Sequence, residues 1–330
     1  MLLAVLAVVT GLALLVWSAD LFVAGAASIA ENAGLSPALI GLTIVSLGTS
    51  APEILVSITA SLAGAGELAV GNALGSNIAN VGLVLGATLL VAPITVRPKS
   101  IRLELPALLL VTVATGLLLL DGALSRVDGL LMIGALTLIL LQLARSRVGD
   151  ALLRAEREEE ALPHLRPGRA WLAFGIGLLV LIASSRLLVW GATLIAERLG
   201  VPELVIGLTV IAIGTSLPEL AATLASVLKG HAEIAIGNIV GSNLFNLLAV
   251  MSLPGLIDPL VLSRDVLLRD YPAMTAATFL FAAAFYAGTR RAPAPDASRL
   301  GRDVGLLLTA FYGLYYYWLF LSLQAPAAVP

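Results

Sequence analysis

Long apolar runs separated by short polar stretches recur along the whole chain, at about 2–23, 36–62, 69–92, 103–120, 127–145, 171–195, 202–228, 233–257, 266–288 and 304–323. A helix needs ~20 residues to cross about 30 Å of hydrocarbon. The runs match that length and are too continuous for the ~10-residue alternating strands of a membrane barrel. The pattern predicts an all-α integral membrane protein of ten transmembrane helices. No basic residue precedes the first run, and it outlasts the roughly 7–15 apolar residues of a secretion signal, so it reads as the first span. The polar segment SRVGDALLRAEREEEALPHLRPGR, at 146–169, separates helices 1–5 from helices 6–10. It divides the chain into a first membrane unit (1–145), a loop (146–169) and a second unit (170–330).

The two units repeat each other. LIGLTIVSLGTSAPE at 39–53 returns as VIGLTVIAIGTSLPE at 205–219, and GNALGSNIAN at 71–80 returns as GNIVGSNLFN at 237–246. The offset is a constant 166 residues from 38–80 to 204–246, with 19 of 43 positions identical. Five helices per copy is an odd number, so the copies enter the bilayer from opposite sides. This predicts two inverted five-helix repeats, an architecture common among secondary transporters.

Charge adds an orientation. The loops after helices 3, 5, 7 and 9 carry fourteen Lys and Arg residues, against four in the loops after helices 4, 6 and 8. The positive-inside bias then places the 146–169 loop in the cytoplasm and both termini outside, as in a multi-pass protein of the cell's inner (plasma) membrane. Composition agrees: 59% of residues are hydrophobic and 12% charged, far from the soluble average of about 25% charged. The chain has no cysteine, which removes disulfides, thiolate metal sites and thiol chemistry. The net charge of −2 sits almost wholly in loops and implies no nucleic-acid partner. Nothing in the sequence calls for a cofactor or a protein partner; the partner implied is the lipid bilayer.

Each copy buries one acidic residue in an apolar run, Glu53 and Glu219. A carboxylate at membrane depth is costly and marks a functional site, and two at matching positions predict one site built from both halves. The motif Gly-Thr-Ser-x-Pro-Glu surrounds each, at 48–53 and 214–219. Proline lacks an N–H, so Pro52 and Pro218 are expected to kink their helices and to free the carbonyls of Gly48 and Gly214, which a bound cation would satisfy. Thr49 and Ser50 share a helical face with Glu53. The second copy repeats this with Thr215, Ser216 and Glu219, and the next helices add Ser76 with Asn80 and Ser242 with Asn246. The inventory is all oxygen, which suits hard cations rather than zinc, copper or iron. A formal charge of −2 matches one Ca²⁺ or two Na⁺. Two carboxylates and the Thr49 and Thr215 carbonyls can supply six of the ~6–8 oxygens that Ca²⁺ takes.

The paired GTSAPE…GNALGSNIAN and GTSLPE…GNIVGSNLFN blocks resemble the alpha-repeats of the cation/calcium exchanger superfamily, most closely its prokaryotic sodium/calcium exchanger branch. The resemblance implies an antiporter, not an enzyme, that exchanges Na⁺ for Ca²⁺ by alternating access at one central site. It implies a calcium site on Glu53, Glu219 and the carbonyls of Thr49 and Thr215. It implies sodium sites on the same glutamates with Ser50, Ser76, Ser216, Ser242, the threonine side chains, the carbonyls of Ser46 and Ala212, and Asn80 and Asn246. Some relatives, the potassium-dependent ones among them, carry aspartate where this chain has Asn246, which argues against potassium co-transport here.

Other readings compete with these. A proton/calcium antiporter of the same fold would use the same glutamates, and a cation channel the same oxygens. An intramembrane enzyme would need a nucleophile and base that the sequence does not place. Glu53 or Glu219 can instead be an ion-pair partner for Arg186, the one basic residue near mid-span. Gly41, Gly71, Gly75 and their counterparts suit close helix packing. Asn77 and Asn243 can bond across helices. Asp20 and Arg186 align under the 166-residue offset and can form a tie. His164 and His231 read as surface residues, and the acidic run 158–160 as a solvated face.

Overall fold

The computed structural model describes residues 1–35, 37–97, 101, 103–146, 165–200, 212–290 and 297–324. Its helices are α1 (Leu2–Ala33), α2 (Pro37–Thr49), α3 (Ala51–Leu62), α4 (Gly66–Val91), α5 (Glu104–Asp121) and α6 (Arg126–Ser146) in the first unit. The second unit has α7 (Pro167–Arg198), α8 (Ala212–Thr215), α9 (Leu217–Leu228), α10 (Ala232–Ile257), α11 (266–288) and α12 (Arg302–Gln324). Seven of the described helices are long and apolar enough to cross a bilayer, or eight if α2 and α3, bent by 45° at their junction, form one broken span. The chain is a multi-pass membrane protein. The predicted span at 202–228 is described only from residue 212, and the acidic run at 158–160 and His164 lie outside the described residues.

Two helices outrun the apolar stretches that predict them. α1 and α7 reach 32 residues each, about 48 Å at 1.5 Å per residue. They lie against one another antiparallel. Gly11 faces Leu188, Gly25 faces Phe174 and Gly177 faces Phe22, so the partner number falls as the residue number rises. The rings of Phe22 and Phe174 stack at 4.9 Å between centroids. A β-carbon on Gly25 would sit 2.8 Å from the Phe174 Cα, so only glycine permits this approach.

α4 and α10 form the centre. α10 is almost wholly buried, whereas α6 and α12 turn Leu130, Leu138, Leu306 and Leu314 outward; in a bilayer such faces meet acyl chains. Reciprocal bonds place α4 and α10 antiparallel. Glu67, in the first turn of α4, accepts the N–H of Ser263 at 2.7 Å, beyond the end of α10. Glu233, in the first turn of α10, accepts the N–H of Arg97 at 3.1 Å, beyond the end of α4. Ser263 is 166 residues from Arg97, and Glu233 is 166 from Glu67.

Two short antiparallel strand pairs repeat the exchange. β1 (Ile94–Val96), after α4, pairs with β4 (Ser298–Leu300), between α11 and α12, with Ile94 opposite Leu300. β3 (Leu260–Val261), after α10, pairs with β2 (Ala123–Leu124), between α5 and α6, with Leu124 opposite Leu260. Both pairs tie one unit to the other.

Glycine packing follows expectation only in part. A β-carbon on Gly237 would come within 2.5 Å of the Ala38 carbonyl oxygen, and one on Gly41 would strike the Ile234 carbonyl, so α2 and α10 meet backbone to backbone. Gly71 and Gly75 meet no described atom within 4 Å. The stretch equivalent to the α2 segment that packs on Gly237, 201–211, and with it Gly207, lies outside the described residues.

Candidate cation site

The chain bends by 45° at the first motif, as expected, and Pro52 stands at the start of the segment beyond the break. Ser50 leaves helical geometry at φ −83°, ψ 5°, and Pro52 follows within the first two positions of α3, where its missing N–H has no intrahelical partner to lose. Ser216 does the same at φ −90°, ψ 4°, with Pro218 at the start of α9. Glu53 and Glu219 therefore fall in the first turn of their helices, where the partial positive charge of the unpaired N–H groups favours an anion.

The carbonyls of Gly48 and Gly214 are not free, contrary to expectation. The Gly48 carbonyl accepts a backbone N–H from the cap of α2, and the Gly214 carbonyl accepts the hydroxyl of Ser185, from α7, at 2.9 Å. A tightened turn and a neighbouring hydroxyl meet the need that a cation was expected to meet.

Both glutamates are 1% exposed, and they come together. Ser50 donates its hydroxyl to Glu219 Oε1 at 3.3 Å, a bond between the two motif copies. The carboxylates are close enough to interact electrostatically, with Ser76 against Glu53, and Thr49 and Ser50 against Glu219. Among the buried side-chain atoms with no hydrogen bond within the protein are the second oxygen of each glutamate, the hydroxyls of Ser216 and Ser242, and both side-chain polar atoms of Asn246. Orphaned buried polar atoms are rare and costly. These belong to the two carboxylates and to residues of the repeated motifs, and among the described residues no cluster of three or more His, Cys, Asp or Glu is present. A set of carboxylate, hydroxyl and amide oxygens suits a hard cation rather than a soft one.

The Ser46 carbonyl already accepts the Ser50 N–H at 2.9 Å and the Thr49 hydroxyl at 3.3 Å, and the Ser46 hydroxyl donates to the Leu42 carbonyl. Thr215 is half-buried and lines a cavity of about 380 Å³ with Pro52, Ser185, Arg186, Trp190 and Gly214. Ala212 heads α8, and its side chain is outside the described residues. Asn80 donates to Asn243 Oδ1 at 3.1 Å, and Asn77 to the Asn243 carbonyl at 3.2 Å, so the asparagines of the two GSN motifs do bond across helices. Asn80 and Asn246 each open a π-helical stretch, Asn80–Leu85 and Asn246–Val250. Such stretches are frequent at functional sites. Arg186 is exposed and forms no ion pair with either glutamate; Asp20 pairs instead with Lys229 at 3.4 Å. His231 is not a surface residue: it is 4% exposed, at the N-cap of α10.

One layer was missed from sequence. Thr49 donates to Asn238 Oδ1 at 3.2 Å, and Asn238 Nδ2 donates to Thr223 Oγ1 at 3.0 Å. Asn72, at the matching position, donates to the Glu53 carbonyl at 3.3 Å. The signal was present, since both asparagines follow glycine in the repeated GN blocks at 71–72 and 237–238.

The sequence signature of the sodium/calcium exchanger protein family matches residues 3–143 and 169–321. The chain belongs to the sodium/calcium exchanger family. It is 47% identical to the putative antiporter CaxA of Alkalimonas amylolytica, over 98% of this chain and 100% of that one. It is 44% identical to the inner membrane protein YrbG of Escherichia coli K12, over 97% and 98%. It is 30% identical to the sodium/calcium exchanger MaX1 of Methanosarcina acetivorans, over 82% and 87%. The fold is similar to that of the sodium-calcium exchanger NCX_Mj, with a TM-score of 0.81 and 29% identity over 97% of this chain and 99% of that one. Family membership thus covers both units that carry the carboxylates.

Proposed function

We propose that this exchanger family member is a Na⁺/Ca²⁺ antiporter that works by alternating access, with Ca²⁺ and Na⁺ as its transported substrates. The observation that carries the reading is the bond from Ser50 of one motif to Glu219 of the other. It is supported by the orphaned oxygens of the pair and of the motif serines and by the names that relatives bear. The ligands are Glu53 and Glu219 with the Thr49 and Thr215 carbonyls for Ca²⁺. For Na⁺ they are the same glutamates with Ser50, Ser216, Ser76, Ser242, Asn80, Asn246 and the Ser46 and Ala212 carbonyls. Competition for shared carboxylates couples the ions. Without a cation, two like charges in low dielectric repel strongly, which discourages the unloaded carrier from crossing.

The proposed frame is ten spans in two inverted repeats, 1–145 and 170–330, joined by a cytoplasmic loop at 146–169, with both termini outside. The antiparallel matching helices and the reciprocal Glu67–Ser263 and Glu233–Arg97 bonds support it. The core of α2–α4 and α8–α10 stays fixed while α1 and α7 shift against it. An inner membrane location is supported by the name of the YrbG relative.

The test is ⁴⁵Ca²⁺ uptake into proteoliposomes loaded with Na⁺, with pH and K⁺ gradients as controls. Uptake driven by outward Na⁺ alone is expected. Uptake driven by a pH gradient and indifferent to Na⁺ would assign proton coupling instead.

A further inference from the structure

Under the 166-residue offset, Arg186 of α7 and Asp20 of α1 occupy one position of the repeat with opposite charge. Arg186 lines the cavity that reaches Gly214 and Thr215 beside the carboxylates. Among the described residues it has no hydrogen-bond or ion-pair partner. A guanidinium in the middle stretch of an apolar helix is tolerated where it faces water or a partner, and this one faces the cavity between α7 and the two motif copies. Asp20 sits on the other long helix, also in its C-terminal half, and is held by Lys229, which follows α9. The residue matching Lys229 in the first unit is Ala63, so that position offers Arg186 no equivalent tether.

We infer that Arg186 and Asp20 make the two approaches to the cation site electrostatically unequal. Arg186 opposes divalent cations arriving from its face, and Asp20, once α1 moves away from Lys229, attracts them from the other. This rests on the proposed antiport. A fixed charge in a narrow, low-dielectric cleft changes the local cation concentration and the rate of arrival, and the effect grows with ion valence. Calcium is therefore captured more readily at the Asp20 face and released more readily at the Arg186 face. With the orientation proposed above, the Asp20 face is cytoplasmic, so the lower calcium KM falls on that side, while the ion gradients set the direction of net flux.

The experiment measures Na⁺-dependent Ca²⁺ exchange by the full chain in vesicles sorted to one orientation, with apparent KM taken at each face. The native chain is expected to show the lower calcium KM at the Asp20 face. Arg186→Gln should lower the calcium KM at its own face by about threefold or more, with kcat and the opposite face nearly unchanged. Arg186→Lys should behave as the native chain. Asp20→Asn should raise the KM at the other face. All these differences should fade near 1 M salt, where the Debye length is about 3 Å. An unchanged outer KM in Arg186→Gln, equal shifts at both faces, or a lysine variant that behaves like glutamine would overturn the inference. Absence of any Na⁺-dependent Ca²⁺ flux in the native chain would instead remove the antiport reading beneath it.

Discussion

Ser50 and Glu219, 169 residues apart in sequence, share a hydrogen bond of 3.3 Å in a region closed to solvent. One motif copy supplies the hydroxyl and the other the carboxylate, so neither unit holds a complete site. A change on one side should disable ligands on both.

Replacing either carboxylate is the most direct trial of this. Glu53→Gln or Glu219→Gln keeps the shape and removes one of two charges. Calcium uptake is expected to fall by on the order of a hundredfold, since even outer-shell partners of metal ligands are worth roughly 10–100-fold. The variants should elute from size exclusion as the native chain does. Native exchange rates in either would sink the shared site.

Cation binding should also be visible without transport. A ligand that binds only the folded state at 100 times its Kd adds about 2.7 kcal/mol of stability. Calcium added to the detergent-solubilised chain should raise its melting temperature, chelator should reverse the rise, and Glu53→Gln should lose most of it. An equal rise in that variant would place the calcium elsewhere.

Asn238 bridges Thr49 and Thr223 in a fully buried chain of hydrogen bonds. Asn238→Ala leaves the Thr223 hydroxyl short of a partner, at about 1–3 kcal/mol for a buried group left unsatisfied, while Thr49 keeps the Ser46 carbonyl. It should also free Thr49 to turn, raising the apparent KM for calcium more than it lowers kcat. Thermal unfolding and uptake kinetics on one preparation separate the two effects.

Backbone contact between α2 and α10 gives a packing test. Gly237→Ala would press a methyl to 2.5 Å from the Ala38 carbonyl oxygen, an overpacking of roughly 1–3 kcal/mol. Gly175→Ala, on α7 with nothing within 4 Å, is the control. A lower melting temperature is expected for the first and little change for the second.

Much of the architecture was legible because apolar length and the exact-offset repeat are properties of the chain itself. The runs give the helices, and the repeat isolates Glu53 and Glu219, whose charge makes them conspicuous in an apolar setting. Asn72 and Asn238 stand in the same repeated blocks, but a neutral amide carries no comparable cost and no such flag. The π-helical starts at Asn80 and Asn246 leave no composition signal, since one extra residue per turn is decided by tertiary packing. The Gly48 and Gly214 carbonyls were misjudged for a related reason: proline does remove one bond, but the replacement donors come from a cap and from a serine on another helix. His231 reads as a loop residue from its neighbours, and only the packing over the start of α10 hides it.

The strand pairs β1–β4 and β2–β3 stitch each unit to the other through main-chain bonds alone. Together with the α1–α7 seam, they make the polypeptide link at 146–169 redundant as a fastener. A gene severed there should yield two fragments that co-purify and reassemble, and mutations that alter only side chains on these strands should leave the stitching intact.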